Sequence, residues 1–309
     1  MTSKKDRAIV VSALKHAAPY IRLFKNKVFV IKAGGEIFAD ADQTRAFMEQ
    51  VGILHQVGIK VVLIHGGGPQ STKLAADLGL DTTFVEGRRV TDGASLDVAT
   101  MVLNGQINTR ILATCRDLQI PAVGMSGVDA GLIRAHQRPP VERDGEEAVD
   151  YGFVGDIDAV EADVLRKQLD NGLMPVISPL SCDESGTLLN INADTVAAAI
   201  AAELDSEKLI LATGAAGILE DVADPGSLIS YMDRAALKKI KASGSLADGM
   251  LPKAAAIDAA LANGVQRVHV ISYKLADSLL LEVFTNEGTG TLVVDDVAAL
   301  TPAEQGGSA

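Results

Sequence analysis

A lysine and two glycines follow the first strongly apolar segment of this chain. Residues 28–31 have the pattern of a buried strand, and Lys-Ala-Gly-Gly occupies 32–35. Glycines after a strand let the backbone approach a ligand closely, and amides at the start of a following helix attract anions. We therefore expect an anion site here, with Lys32 supplying positive charge. The alternative is a lysine that only marks the emergence of the strand into solvent.

A second apolar segment, residues 61–64, ends in a similar turn. It runs into His-Gly-Gly-Gly-Pro at residues 65–69. One or two glycines would be enough for a structural turn, so three favour close approach of the backbone to a ligand. In an open parallel sheet, such turns meet at the carboxyl edge, where ligands collect. Neither turn matches the GxxxxGK[ST] phosphate loop.

Two more charged residues stand at predicted helix starts. Asp194 follows Asn190 and Asn192 and precedes an alanine-rich helix, so it could cap that helix or face a site. Lys253 follows Pro252 in a first helical turn, where its charge opposes the helix dipole at a cost of about 0.3–1 kcal/mol. We interpret this unfavourable lysine as a sign of function, with a solvated side chain as the alternative.

An arginine pair, Arg88 and Arg89, precedes another predicted helix. One arginine can bind a carboxylate through two parallel hydrogen bonds. The residues alone do not decide which of the two would do so. Thr91 or Asp92 is expected to cap the helix that follows.

Strand and helix patterns alternate along most of the chain, which predicts an α/β fold with a mainly parallel sheet. Between residues 129 and 160 the alternation stops, and two strand-like segments flank a polar stretch. We interpret this part as a β-hairpin that lies over a site. The predicted strands are 27–32, 60–64, 174–178, 208–212, 266–271 and 291–294, and the main predicted helices are 7–25, 41–57, 70–79, 92–118, 161–170, 193–204, 233–242, 252–263 and 276–283.

The composition excludes several classes of protein. With 309 residues, 48% hydrophobic and 22% charged, the chain can bury a large core. Its net charge of −12 argues against nonspecific binding of nucleic acids or of anionic membranes. Two cysteines cannot form a disulfide framework, and no apolar run reaches the roughly 18 residues of a membrane span. We expect a cytoplasmic protein.

Seven segments, taken in order, carry a resemblance to a known family. They are VIKAGG, HGGGPQ, GRRVTDG, YGFVGDID, NINAD, DGMLPK and LLLEVFTNEGTGT, spread from about residue 10 to residue 294. Together they resemble the amino-acid kinase family, and within it the members that phosphorylate N-acetyl-L-glutamate. The resemblance implies a three-layer sandwich around a central, mainly parallel sheet. It also implies an N-terminal oligomerisation helix (1–26), an acyl-amino-acid-binding lobe (27–186) and an ATP-binding lobe (187–309).

The resemblance also implies a reaction and a set of roles. The γ-phosphate of ATP, bound with Mg²⁺, would pass to the side-chain carboxylate of N-acetyl-L-glutamate, a step of arginine biosynthesis. Lys32 and Lys253 would stabilise the transition state, and Asp194 would orient both lysines. Mg²⁺ would bind mainly through the nucleotide, without a dedicated protein site. The implied substrate-binding residues are Gly67, Gly68, Arg89 and Asn190, and the implied nucleotide- and phosphate-binding residues are Gly34, Gly35, Thr213, Gly214 and Gly217.

The N-terminal helix and three later residues imply regulation. Members of the family that L-arginine inhibits carry such a helix and use it to join dimers into a hexameric ring. His269, Glu282 and Gly288 match positions of the arginine site in those members. Asp277 departs from them, because a histidine usually stands at this position. We expect a homo-oligomer with an arginine site.

One departure concerns the nucleotide. Gly214 stands where the family usually has an aspartate near ATP, so ATP would be held differently or bound more weakly. Two alternatives to an acetylglutamate kinase follow. One is a kinase for a related acidic substrate, such as carrier-linked aminoadipate. The other is a non-catalytic, ligand-sensing domain of the same fold, against which the joint presence of Lys32, Asp194 and Lys253 argues.

Overall fold

The computed structural model describes residues 4–85, 88–143, 146–221, 223–224, 226–243, 246 and 248–300. Within these ranges the α/β alternation predicted from the hydrophobic pattern is confirmed. The strands are β1 Val28–Ala33, β2 Lys60–His65, β3 Phe84–Val85, β4 Arg88–Arg89, β5 Ala122–Ser126, β6 Ile133–Gln137, β7 Val141–Arg143, β8 Glu146–Val149, β9 Gly155–Val160, β10 Met174–Ser178, β11 Leu180–Cys182, β12 Leu188–Asn190, β13 Lys208–Thr213, β14 Tyr231–Asp233, β15 Val268–Ser272 and β16 Thr291–Val294. The α-helices are α1 Lys4–Phe24, α2 Ala41–Gln56, α3 Gly68–Asp77, α4 Gly93–Thr100, α5 Thr109–Asp117, α6 Ala162–Asp170, α7 Ala193–Glu203, α8 Arg234–Ser243, α9 Leu251–Ala262 and α10 Ser278–Phe284.

Eight strands form the central sheet, in the order β14-β16-β15-β13-β1-β2-β10-β5. Six of them run parallel to one another. Strand β16 runs antiparallel to β15, and β14 pairs parallel with β16. Strand β1 lies in the middle, with Lys32 opposite Ile64 on one side and Leu211 on the other. Its two neighbours, β2 and β13, come from parts of the chain that are far from each other, and the carboxyl ends of all three strands meet at one edge of the sheet.

Helices cover both faces of this sheet, which confirms the three-layer architecture. On one face, α7 and α9 pack together through side chains that include Val196, Ile200 and Ile257. On the other face, α2, α5 and α10 pack against the sheet with the end of α1. Because both faces are covered, the central strands are almost continuously apolar. The division into two lobes and a terminal helix stays a prediction.

A smaller sheet, ordered β12-β11-β6-β9, covers the carboxyl edge of the large one. Its strands β6 and β9 pair antiparallel, and β7 and β8 form a further hairpin between them in the chain. This confirms the predicted hairpin between residues 129 and 160. Residues 144 and 145 of the polar stretch lie outside the described residues.

A π-helix interrupts the helical region that the sequence predicts at 92–118. Helix α4 continues without a break into the π-helical segment Met101–Asn108, which continues into α5. A π-helix is rare, is found mostly as a single wide turn inside an α-helix, and is frequent at functional sites. This one packs Leu103 and Ile107 beneath the second glycine turn.

Helix α1 leaves much of its apolar surface uncovered. Ile9, Val10, Val11 and Leu14 are each more than half exposed. Its last turns contact the rest of the molecule, where Tyr20 donates a hydrogen bond of 2.5 Å to Asn286 and Phe24 is buried. In the part of the chain that the structure describes, no helix has the length and apolarity to cross a membrane.

Candidate active site

The two glycine turns meet at the carboxyl ends of β1 and β2. The Gly66 amide donates to the carbonyl of Ala33 over 2.9 Å, which ties one turn to the other. A Cβ on Gly35 would lie 2.9 Å from the Cα of Gly67, so a side chain at Gly35 would force the turns apart. Both turns line a cleft of about 480 Å³. The sequence prediction that these turns share one site edge therefore agrees with the structure.

Lys32, Asp194 and Lys253 form a charged cluster in this cleft. Lys32 Nζ lies 2.9 Å from Asp194 Oδ1, and Lys253 Nζ lies 3.8 Å from Asp194 Oδ2. Lys32 is only 6% exposed, so the alternative that it marks the strand's emergence into solvent is wrong. One carboxylate thus holds two ammonium groups, and the cluster keeps a net charge of +1.

Asn192, rather than Asp194, caps helix α7. The Asn192 side chain accepts from the amides of Asp194 and Thr195 over 2.8 and 3.2 Å. The alternative in which Asp194 is only a helix cap is therefore wrong. With the cap supplied two residues earlier, the Asp194 carboxylate is directed from the first turn of α7 towards the two lysines.

Burial and charge oppose each other at Asp194. Burial alone would raise the pKa of this carboxyl, but the neighbouring Lys32 and Lys253 outweigh it and hold the pKa below its usual value. Burial also lowers the pKa of Lys253, an effect that the attraction of Asp194 partly offsets. The lysines are therefore a weakly hydrated pair, and such a pair gains most when an anion enters the cleft.

Arg89 lies at the other side of the glycine turn. Its Nη2 donates to the carbonyl of Gly68 over 3.2 Å and to Thr72 Oγ1 over 2.6 Å. The guanidinium also lies over the ring of Phe84, 4.9 Å from its centroid. These contacts fix one edge of the guanidinium, and the pKa is lowered by burial. Arg88 lines the same cleft, so the structure brings both arginines to the site.

Asn190 completes this side of the cleft. Its Nδ2 donates to Thr91 Oγ1 over 3.3 Å, and Thr91 is fully buried. Asp92, not Thr91, caps α4 by accepting from the Ser95 amide over 2.7 Å. Sequence reasoning expected only a cap from these two residues and missed this support of Asn190.

Sequence reasoning also missed Arg138, which lines the cleft from the hairpin. A bidentate pair with Asp156 holds it, with contacts between 2.6 and 3.2 Å. The only available signal was an arginine inside a polar stretch, which also fits a solvated turn.

The other end of the cleft is lined by four of the five residues predicted for nucleotide and phosphate: Gly34, Gly35, Thr213 and Gly214. Gly217 is not brought to the cleft lining. It is buried where a Cβ would lie 2.6 Å from both Leu228 and Thr291, so packing accounts for the glycine. A Cβ on Gly214 would lie 3.6 Å from Tyr273 Oη and 3.7 Å from Lys274 Nζ, so these two side chains face Gly214.

A second cavity, of about 190 Å³, lies between α1 and α10. His269 Nδ1 is 2.6 Å from Glu282 Oε1, and His269 Nε2 is 3.0 Å from Lys208 Nζ. Burial and the Lys208 charge lower the pKa of His269 to about 4, so the ring is neutral at pH 7. Burial would raise the pKa of Glu282, but His269 and nearby amides lower it to about 2. Gly288, with φ of 62°, lies against the same carboxylate.

The described residues contain no group of three or more histidine, cysteine, aspartate or glutamate side chains that could hold a metal ion. The charged groups of the cleft are instead mainly cationic, and with the glycine amides they are suited to bind anions.

Proteins of a known family are similar to this chain over most of its length. The model of the amino acid kinase family matches residues 27–272. The acetylglutamate kinase of Myxococcus xanthus (strain DK1622) is 46% identical over 292 residues, covering 93% of this chain and 95% of that protein. The acetylglutamate kinase of Symbiobacterium thermophilum is 45% identical, and the match covers 94% of this chain and 98% of that protein.

Solved structures show the same fold. N-acetylglutamate synthase from Neisseria gonorrhoeae, complexed with coenzyme A and L-arginine, has a TM-score of 0.81 and 27% identity over 93% of this chain. This chain spans 65% of that synthase chain, and 64% of the same synthase complexed with coenzyme A and N-acetyl-glutamate. Carbamate kinase from Giardia lamblia bound to AMP-PNP shares the fold, with a TM-score of 0.61 and 18% identity. The match covers 88% of this chain and 99% of that chain.

Proposed function

This chain belongs to the amino acid kinase family, and we propose that it is an acetylglutamate kinase, which transfers the γ-phosphate of ATP to the side-chain carboxylate of N-acetyl-L-glutamate. The observation that carries the proposal is the Lys32–Asp194–Lys253 cluster between two glycine turns. The relatives of 45–46% identity that bear the name acetylglutamate kinase support the choice of substrate. We expect the protein to act in the cytoplasm.

The chemistry needs charge rather than a base. A glutamyl carboxylate, with a reference pKa of about 4.3, is already ionised at pH 7 and is itself the nucleophile. The difficulty is the approach of this anion to a polyanionic phosphate, and fixed positive charge removes it. Lys32 and Lys253 supply that charge, and Asp194 keeps their two ammonium groups in place.

The acyl substrate binds at the side of Arg89 and Asn190. Because Gly68 and Thr72 both accept from Nη2 of Arg89, its Nη1–H and Nε–H groups remain to bind the substrate α-carboxylate. Asn190 offers its amide to the acetamido group. The Gly67 and Gly68 amides, which have no acceptor among the described residues, receive the transferring phosphate and the reacting carboxylate.

ATP binds at the other end, towards Thr213 and Gly214. The Gly34–Gly35 turn approaches its phosphates, and Mg²⁺ enters with the nucleotide as part of the substrate. Gly217 acts here by shaping the loop rather than by touching the nucleotide. At Gly214, where no acidic side chain occupies the space, Lys274 is the charged group that faces the phosphates.

A coupled assay of ADP release tests this function. We expect ADP formation that depends on N-acetyl-L-glutamate and is much slower with glutamate, because glutamate lacks the acetyl group and carries an ammonium in its place. No ADP release with acetylglutamate, combined with calorimetric binding of it, would instead support a ligand-sensing domain. Activity only with a carrier-linked substrate would support the related acidic-substrate kinase.

The second cavity is an arginine site under this proposal. Glu282 presents a buried carboxylate for a guanidinium, and the synthase that resembles this chain was solved with L-arginine. Helix α1 forms one wall through Tyr20 and Phe24, so a ligand here would bind the helix to the body of the protein.

Millimolar L-arginine is therefore expected to lower the rate of ADP release and to raise the melting temperature, since a ligand that binds only the folded state stabilises it. Glu282→Gln should raise the arginine concentration needed for both effects at least about tenfold, because a charged hydrogen bond is lost. Glu49→Gln, on the exposed surface of α2, is the matched control and should keep the wild-type response. An unchanged response in Glu282→Gln would remove the arginine assignment.

The exposed apolar side chains of α1 form a contact between copies of this chain. We propose that α1 joins dimers into a hexamer. The residues that support this are Ile9, Val10, Val11 and Leu14, whose exposure would be unfavourable for a helix on its own.

Leu14→Glu should convert the hexamer to a dimer in analytical ultracentrifugation, because a carboxylate would be buried without a partner in the contact. Lys15→Glu, at the next position of the same helix, is the control for the added charge. A hexamer that survives Leu14→Glu, or a wild type that is already a dimer, would contradict the role of α1.

A further inference from the structure

A fully buried histidine stands at the base of the second glycine turn. His65 ends β2 and has no exposed surface. Its Nδ1 lies 3.2 Å from the carbonyl oxygen of Gly66, and its Nε2 lies 3.2 Å from Asn108 Nδ2. A carbonyl can only accept, and an amide nitrogen can only donate. The ring must therefore carry its proton on Nδ1 and accept at Nε2.

Asn108 can hold only one orientation. Its Nδ2 also donates to the carbonyl of Val176 over 3.0 Å, so both amide hydrogens are used. Its Oδ1 fills the space where a side chain on Gly124 would be. A flipped amide would place oxygen against two acceptors, which excludes it. Burial lowers the pKa of His65 to about 4, which agrees with a neutral ring at pH 7.

The π-helix brings Asn108 to this position. Asn108 is the last residue of the π-helical segment, and a wide turn displaces the residues after it relative to a regular α-helix. The same segment packs against the turn, since a Cβ on Gly67 would lie 2.7 Å from Leu103 and from Ile107. Side chains of one unusual segment thus contact His65 and Gly67, the residues on either side of Gly66.

The hydrogen bond to Gly66 controls the direction of an amide in the cleft. In a trans peptide, the Gly66 carbonyl and the Gly67 N–H point to opposite sides of one plane. His65 holds the carbonyl from the buried side, so the Gly67 N–H is turned the other way, towards the cleft that Gly67 lines.

We propose that Asn108 and His65 are positioning residues of phosphoryl transfer, which together fix the Gly66–Gly67 peptide so that the Gly67 amide faces the reacting groups. This inference rests on the proposed kinase function. Neither side chain lines the cleft, so both act through the backbone. Displacement of an oriented donor by a fraction of an ångström is expected to lower kcat strongly, because oriented donors act on the transition state.

Two substitutions of His65 separate positioning from packing. Asparagine can place a donor near the position of Nδ1, whereas glutamine reaches the position of Nε2 and leaves Gly66 unheld. We expect His65→Asn to retain kcat within about fivefold and His65→Gln to lose about 100-fold, mainly in kcat rather than in KM for ATP. Equal kcat values in these two variants would overturn the proposal.

A matched control is available in the buried amide of Gln50. Its Oε1 accepts from the Leu279 amide over 3.0 Å, its Nε2 donates to the carbonyl of Ala46, and the residue does not line the cleft. Gln50→Ala should lower the melting temperature as Asn108→Ala does, while only Asn108→Ala loses kcat. If both lose kcat in proportion to stability, general destabilisation accounts for the result and the proposal fails.

Histidine ring NMR on the wild-type protein tests the geometry without any assay. The chain has five histidines, and the ring signal that disappears in His65→Gln belongs to His65. In the wild-type protein at pH 7, that signal should show a neutral ring with the proton on Nδ1. A proton on Nε2, or a charged ring, would overturn the proposal. A wild type inactive towards acetylglutamate would defeat the proposed function itself, which is a different outcome from an active wild type with equal His65 variants.

Discussion

Replacing Lys32 by methionine lowers kcat at least about 100-fold and leaves the fold intact, because one fixed donor to the transition state is removed. Methionine keeps most of the length of the apolar stem that lies in the sheet, so no large cavity is created. The measurement is steady-state ADP release with acetylglutamate, accompanied by circular dichroism and a melting curve. KM for ATP should change much less than kcat, since the lysine acts mainly on charge that develops during transfer.

Lys60→Met is the matched control. Lys60 begins β2, the neighbouring strand, but at the opposite edge of the sheet, where its Nζ pairs with Asp170 over 2.7 Å. Loss of this partly exposed pair should affect stability by less than about 1 kcal/mol and leave kcat unchanged. A near-normal kcat in Lys32→Met would remove the catalytic role of Lys32.

Asp194→Asn should lower kcat about 100-fold or more and also destabilise the protein by about 3 kcal/mol. The carboxylate is the counter-charge of two lysines, and Lys32 is too buried to turn its ammonium to water. Lys253 is more exposed, so its ammonium group can be partly hydrated when the carboxylate is removed. The variant therefore loses both the orientation of the ammonium groups and the compensation of a buried charge. Urea unfolding at pH 7 measures the second effect.

The double variant Lys32→Met/Asp194→Asn distinguishes these effects. It should be more stable than Asp194→Asn alone, because the uncompensated ammonium is gone, while kcat stays low. Strict additivity of the two losses in stability would contradict the buried charge pair that the structure shows.

The fold could be predicted from the sequence because the sheet is buried on both faces. Its strands are short apolar runs that end in glycine turns, as at 28–35 and 61–68, and this pattern is typical of parallel strands covered by helices. The position of the π-helix could not be predicted. One extra residue per turn barely changes an apolar repeat over eight residues, so 92–118 has the pattern of one ordinary helix.

The residues of the site could be named from the sequence, but the distances between them could not be predicted. Lys32 and Asp194 stand 162 positions apart in the sequence, and their contact depends on α7 packing beside β1. Local rules allowed Asp194 to be a helix cap, and only the structure shows that Asn192 takes that place. The resemblance to the family implied that Lys32, Asp194 and Lys253 act together, whereas their spacing in the sequence did not. Arg138 and His65 act through tertiary contacts that have no local pattern.

The order of strands in the central sheet has a consequence for synthesis on the ribosome. Strand β1 is made early, and its neighbour β2 follows at once, but its other neighbour β13 ends 35 residues after β10. At about 5–20 residues per second, that interval lasts about 2–7 seconds. During it, a nascent chain that has paired β5, β10, β2 and β1 carries an unpaired apolar edge, which is the kind of edge that recruits other chains. Chaperone demand should therefore be greatest in this interval, before Thr213 leaves the ribosome.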